Sequence, residues 1–224
     1  MKILITGASR GIGLAEAKAL GEENELFLVA TSIASFKDES IKKHHLFGYD
    51  LRKISEIKKF VDELKTKTDS LDVLINNVGM IVLKKFKDMS LDEINDQVDL
   101  NLKSHMILTK MLLPLLEKSN KAHIIFMSSM AAKSGIIGES VYAATKAGIS
   151  KFADILRKEM RGKAKVSIIH SWGVNTFGSA STDLLKPEDI ADIVKYIISK
   201  DFVVESIDVG HINQWRGGNA PWSP

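Results

Sequence analysis

The sequence predicts an α/β fold, a doubly wound parallel sheet of Rossmann type with about seven strands and helices on both faces. Three observations carry this expectation. Short continuous apolar runs alternate with longer helical patterns along the chain, as strands buried on both faces and their crossover helices would read. The first run, Lys2 to Thr6, meets a glycine loop at once and a helix follows, the order in which a backbone can approach a pyrophosphate at a helix N-terminus. Finally, 224 residues without repeats, low-complexity tracts or linkers suit one domain over 1–224 with a good-sized core.

Lys2 to Thr6 is β-branched and apolar and stops at Gly7, which marks a buried first strand. Gly7-Ala8-Ser9-Arg10-Gly11-Ile12-Gly13 is spaced G-x-x-x-G-x-G, and Leu14 to Leu20 reads as the helix behind it. Glycines so placed serve either a tight turn or a phosphate, and the strand in front favours the phosphate. Leu26 to Ala30 is a second buried strand, ending in Thr31-Ser32. An acid near that end would bind a ribose 2′-hydroxyl and favour NAD. Small hydroxyls with Arg10 nearby suit a 2′-phosphate better, so NADP is expected ahead of NAD.

His45 to Tyr49 is the third strand, followed by Asp50-Leu51 and a helix whose buried stripe is Ile54, Ile57, Phe60, Val61 and Leu64. Leu71 to Ile75 is the fourth strand and closes on Asn76-Asn77-Val78-Gly79, which suits a ligand crevice or an ordinary turn. Ser90 to Leu116 is helical, with Ser90 and Glu93 spaced as a capping box. Asn101 falls inside that helix, where an Asn usually faces solvent unless it bends the helix or binds water. Ala122 to Met127 is the fifth strand and delivers Ser128-Ser129. Ser140 to Met160 is a long helix bearing Tyr142 and Lys146, and Val166 to Ile169 is the sixth strand. Pro187 opens a helix through Ile198, and Val203 to Val209 is the last strand. Gly210 to Pro224, with Trp215, Trp222, two prolines and a Gly-Gly, reads as irregular packing.

Apolar content of 45% and charged content of 26% are ordinary for a soluble globular protein. The net charge of +3 is mild, and the lysines stand among acids, as Lys58-Lys59, Lys65 and Lys67 do beside Asp62, Glu63 and Asp69. That describes a solvated helix face, not a nucleic-acid footprint. The absence of cysteine excludes disulfides, thiol catalysis and Cys-based metal sites. Adjacent His44 and His45 would point to opposite faces of a strand, and the other histidines are dispersed, so no metal site is expected. No apolar run approaches the ~18 residues that span a bilayer, and the apolar start is too short for a signal peptide. A cytoplasmic protein with no membrane or nucleic-acid partner is the expectation.

Tyr142-Ala143-Ala144-Thr145-Lys146 sets a phenol and an ammonium four residues apart, on one helix face. A phenol titrates near ~10 and is a poor acid–base group at neutral pH. A cation beside it favours the phenolate, and lowering it by ~3 units takes about 4 kcal/mol. The pattern alone occurs in many helices, but right-handed crossovers bring every strand's C-terminal end to one edge. The glycine loop, the Asn pair, Ser129 and the start of the Tyr142 helix all fall on that edge, where such sheets bind ligands.

With these motifs in this order, the chain resembles the short-chain dehydrogenase/reductase family in its compact single-domain form, over almost its whole length. Thr6 to Gly13 is similar to the family's T-G-x-x-x-G-x-G cofactor loop, and Asp50-Leu51 to the pair that holds the adenine ring. Asn76-Asn77-Val78-Gly79 resembles N-N-A-G with Val for Ala, and Asn101, Ser129, Tyr142 and Lys146 fall where the catalytic tetrad is expected. The resemblance implies an NADP-dependent oxidoreductase that reduces a small-molecule carbonyl, or oxidises the matching alcohol, by hydride transfer. Tyr142 would be the acid and base, and Lys146 would lower its pKa and bind the nicotinamide ribose. Ser129 would hold the developing alkoxide, and Asn101 would support a water chain resupplying protons. Cofactor contacts are implied for Gly7, Ser9, Arg10, Gly11, Ile12, Gly13, Thr31, Ser32, Asp50, Leu51, Asn77, Val78, Gly79, Tyr142, Lys146, Val174 and Thr176.

Two departures stand out. The family usually has Pro-Gly-x-Val-x-Thr where this chain has Ser171-Trp172-Gly173-Val174-Asn175-Thr176. Val174 and Thr176 match, but Trp172 replaces a small residue and is expected to reshape or fill space around the nicotinamide. About ten residues separate Thr176 from Pro187, a short lid that implies an open site and a broad taste for carbonyl compounds. Trp172 and this lid also motivate an alternative, a dinucleotide-binding sensor or scaffold that has lost catalysis. An epimerase or dehydratase fits less well, since those relatives carry a larger C-terminal substrate region. Family members commonly pair the Tyr-bearing helix and the one before it, so a homodimer or homotetramer is expected.

Overall fold

The computed structural model describes residues 1–176 and 178–215. Its strands are β1 (Lys2–Thr6), β2 (Glu25–Ala30), β3 (His45–Gly48), β4 (Val73–Asn76), β5 (His123–Ser129), β6 (Lys165–Ser171) and β7 (Ser206–Val209). They form one parallel sheet in the order β3-β2-β1-β4-β5-β6-β7. The order runs outward from β1 on one side and from β4 on the other, so the switch between them opens a crevice at the strands' C-terminal edge.

The helices are α1 (Gly11–Leu20), α2 (Ile54–Lys67), α3 (Leu91–Val98), α4 (Ser104–Leu116), α5 (Ser140–Glu159), α6 (Pro187–Ile198) and the short α7 (Ile212–Trp215). Strand side chains alternate between two layers. Ile3, Ile5, Leu26 and Leu28 pack with α1 and α6, while Leu4, Phe27, Val29 and Phe126 pack with α2, α4 and α5. Each such fully buried side chain contributes about 1.5–3 kcal/mol. With both faces covered, only the sheet's two rims are free to bind a ligand.

The architecture follows the expectation, and the differences lie at element ends. Helix α1 begins inside the glycine loop, at Gly11 and not Leu14. Strands β5 and β6 run on to Ser129 and Ser171, pairing Ser128 with His170 and Ser129 with Ser171 after the apolar runs have stopped. Strands β4 and β7 start later than expected, at Val73 and Ser206. Ile54 is not in the buried stripe of α2; it is 39% exposed at the helix's first turn. The helix expected over Ser90 to Leu116 is interrupted by a π-helical turn, Asp99–Lys103, between α3 and α4. Its capping box is present: Glu93 N–H donates to Ser90 Oγ at 3.2 Å and Ser90 N–H to Glu93 Oε2 at 2.9 Å. Of the tail expected to be irregular, Ile212–Trp215 is a helical turn, and 216–224 lies outside the described residues.

Candidate active site

The crevice at the C-terminal edge is a cleft of about 580 Å³. Its floor is the loop after β1. Gly7 adopts φ +69°, and a Cβ there would sit 3.0 Å from Val78 Cα. At Gly13 a Cβ would lie 2.4 Å from Gly7 O and 2.7 Å from Asn77 Nδ2, so no larger residue fits without moving the loop. Thr6 Oγ1 ties this loop to the one after β4 by accepting from Asn77 N–H and Val78 N–H, both at 2.9 Å. The two loops therefore form one rigid cradle.

Along the cleft, Gly7, Ser9, Arg10, Gly11 and Ile12 come from the first loop, and Thr31 from the end of β2. Asp50 and Leu51 line it beyond β3, Asn77, Val78 and Gly79 beyond β4, and Tyr142, Lys146 and Thr176 from the far wall. Gly13, Ser32 and Val174 were expected to contact the cofactor but do not line the cleft. Gly13 is spent on packing; the Ser32 hydroxyl pairs with Ser35 Oγ at 3.0 Å, and Val174 forms a β-bridge with Leu185. Trp172 does not line it either, whereas Ser171 does. The Trp172 N–H donates to Val209 O at 2.8 Å, prolonging the β6–β7 pairing.

The four tetrad positions converge. Asn101 is fully buried in the π-helical turn. Its Oδ1 accepts from Met80 N–H and its Nδ2 donates to Met80 O, both at 2.8 Å. It does not face solvent, as an Asn in a regular helix would. Nδ2 also reaches Thr145 Oγ1 at 3.3 Å, between Tyr142 and Lys146 in sequence. A Cβ on Gly79 would lie 3.4 Å from Asn101 Oδ1 and 3.5 Å from Lys146 Nζ, so both groups meet at that glycine. Ser129 stands at the end of β5, its Oγ accepting from Ala131 N–H at 3.1 Å.

Lys146 is 4% exposed, its Nζ donating to Met127 O at 2.8 Å and lying 5.7 Å from the centre of the Tyr142 ring. Burial lowers its pKa to about 8. At Tyr142 burial raises the pKa, a hydrogen bond with Ser129 opposes, and Glu139 adds to the rise. The lowering expected from Lys146 is not among the effects of the protein's own groups, because its ammonium is directed at a backbone carbonyl.

Two residues escaped the sequence reading. Arg52 lines the cleft beside Asp50, holding it through Nη2 at 2.8 Å and bridging to Asp96 at 2.7 Å. That contact, first among its causes, keeps the Asp50 carboxyl below its usual range. Its place directly after Asp50-Leu51 was the available signal. His105 is fully buried, with Nε2 2.8 Å from Val78 O. Burial, then the charge of Lys146, push its pKa down to about 3, so the ring is neutral and Nε2 carries the proton given to Val78. Among the described residues no cluster of His, Asp or Glu could hold a metal, and no helix is long and apolar enough to cross a membrane.

Fold and cleft together define a doubly wound α/β protein with a nucleotide-sized crevice at its switch point. The family described as short chain dehydrogenase matches residues 1–187. The chain belongs to that family of NAD(P)-dependent oxidoreductases. It is 32% identical over 167 residues to the ketoacyl reductase HetN of Nostoc sp., covering 71% of this chain and 58% of that protein. It is 26% identical to an NADP-dependent 3-hydroxy acid dehydrogenase of Schizosaccharomyces pombe, over 88% of this chain and 86% of that one. An alcohol dehydrogenase of Thermococcus sibiricus, solved with 5-hydroxy-NADP, shares the fold with a TM-score of 0.87 at 22% identity, over 95% of this chain and 97% of that one.

Proposed function

We propose that this chain is an NADP-dependent enzyme that reduces a small-molecule carbonyl, or oxidises the matching alcohol, within a single domain. The observation that carries the reading is that Asn101 and Lys146 meet at Gly79 while Tyr142 lines the same cleft, which the glycine loop floors. The residues suit a dinucleotide: a cradle no Cβ can enter at Gly13, and no acid at Thr31, where one would repel a 2′-phosphate. Arg10 at the cleft wall suits that phosphate. Bound there, NADP supplies or accepts the hydride.

The protein's part is proton and position. Tyr142 Oη gives its proton to the carbonyl oxygen in reduction and takes it back in oxidation. Ser129, near enough to Tyr142 to oppose the rise in its pKa, stabilises the oxygen as charge develops. Lys146 holds the ribose side of the cleft, and Asn101, anchored to Met80, fixes the wall where a proton-resupplying water sits. The lid is short and tied at its base, where Asn175 N–H donates to Leu185 O at 2.7 Å and Leu185 N–H to Gly173 O at 3.0 Å. This supports an open substrate side and a broad carbonyl range.

The test is NADPH oxidation over a carbonyl panel, run in parallel with NADH. Turnover is expected to be faster with NADPH and to fall by about 10²–10⁴-fold in Tyr142→Phe, with NADPH affinity retained. Equal turnover by the wild type and the variant would refute the mechanism. Pairing of α4 and α5 between copies is expected to give a dimer or tetramer in light scattering; a monomer at all concentrations contradicts it.

A further inference from the structure

At the opposite rim, where the strands begin, lies a second groove of about 870 Å³. The start of β5, the end of α5 with the turn into β6, and the segment after α6 form its walls. Seven Lys or Arg side chains line it against two carboxylates, a larger surplus than the +3 of the whole chain. Among the described residues, ion pairs engage Arg157, with Asp154 and Glu205, and Lys163, with Glu117. Lys165 donates to the Lys200 carbonyl, and the Lys200 ammonium rests 4.4 Å from the Tyr196 ring centre. Among the described residues Lys121, Lys158 and Arg161 have no carboxylate partner, and Glu205 is already paired with Arg157. Cations held on separate walls without counter-charges repel one another at no gain to the fold.

A second feature is independent of the charges. His123, 1% exposed, lines the same groove. Its Nε2 lies 2.8 Å from Ser167 Oγ, but its buried Nδ1 has no hydrogen-bond partner among the described residues. Burial, then Lys165, push its pKa down to about 3, so the ring is neutral and carries one proton. In the tautomer whose Nε2 accepts from the Ser167 hydroxyl, Nδ1–H is an unused donor at the wall of a cationic groove. Leaving a buried donor unpaired is costly, and an anionic oxygen is the partner these surroundings select.

We infer that this groove is a binding site for a small oligophosphate, gripped by Lys121, Lys158, Arg161 and Lys200 and by the Nδ1–H of His123. Its size falls within the ~300–1,000 Å³ of small-molecule sites, and an Arg beside lysines on several walls suits a chain of phosphates better than a single anion. Placed at the rim away from the cleft, such a ligand neither fills nor blocks the catalytic site.

Tripolyphosphate titrated into the full chain, by calorimetry and by nitrogen-15 histidine NMR, tests this with no activity readout. Saturable binding is expected, with a shift of the His123 ring resonance and at least a tenfold weaker association in the exposed double variant Lys158→Glu/Arg161→Glu. That variant should keep the wild-type affinity for NADPH, since both residues lie outside the cleft. Binding unchanged by the double variant, no saturation by low millimolar ligand, or an unmoved His123 resonance each overturns the inference. So does equal binding of sulfate at matched ionic strength, which would show charge screening alone.

Discussion

At Tyr142 the protein's own groups hold the phenol in its neutral form. Burial raises its pKa, and the hydrogen bond with Ser129 only partly offsets this. A neutral phenol is ready to give a proton, which serves reduction; oxidation needs it deprotonated first. Lys146, whose pKa burial brings down to about 8, loses its positive charge at lower pH than the phenol ionises, and its ammonium faces the Met127 carbonyl. Alcohol oxidation is therefore expected to speed up with rising pH, while carbonyl reduction does not gain and slows as the phenol ionises. Initial rates in both directions from pH 6 to 10 check it. An oxidation rate that falls steadily across that range would contradict the assignment of Tyr142 as the base. Arg52 shows the same logic at the other end of the cleft: a charge fixed by two carboxylates is a wall, not a free arm, and shapes that end by position.

The element that matters most is the break between α3 and α4. A regular helix over Ser90 to Leu116 would leave Asn101 with only its own backbone, whereas the π-helical turn swings it onto both polar groups of Met80. Such turns insert a residue without changing composition, so periodicity could not reveal this one. The only hint was a polar Asn between Leu100 and Leu102. Asn101→Ala is expected to cost about 2 kcal/mol in urea unfolding, as the buried bonds to Met80 are lost, and to reduce turnover because Gly79 is no longer held. A loss below about 0.5 kcal/mol would show that the contact carries little. Strand ends were misread for a related reason. Apolar runs mark where side chains are buried, but backbone pairing continues through Ser128, Ser129, His170 and Ser171, and Ser128 and Ser171 line the cleft. Motifs set by local backbone geometry, such as the glycine loop and the capping box, were legible. Arg52 and His105 were not, because their partners are distant in sequence.

Across the described residues, buried titratable groups shape the pH dependence of stability, and Glu16, His105 and His123 carry the largest shifts below pH 8. Glu16 is fully buried with no hydrogen-bond partner among the described residues, and burial raises its pKa from 4.5 to about 8. The folded state thus holds a proton that the unfolded state releases, and stability falls as pH rises from 4.5 towards 8. His105 and His123 act in the opposite sense: burial lowers both from 6.5 to about 3, so the unfolded state binds protons the folded state refuses, and stability falls as pH drops below 6.5. Each group contributes a slope of about 1.4 kcal/mol per pH unit in its window. Between 4.5 and 6.5 the two histidines outweigh Glu16 and stability climbs; from 6.5 to 8 Glu16 acts against it and stability declines. A maximum near pH 6.5 is expected in denaturant melts. Glu16→Gln keeps the shape and removes the ionisation, so it should flatten the alkaline side, raising the melting temperature at pH 8 by several degrees and changing it little at pH 5. A wild-type curve that keeps rising to pH 8, or a Glu16→Gln curve that parallels it, would mean that the Glu16 carboxylate finds water or a counter-charge that the buried core of α1 does not offer.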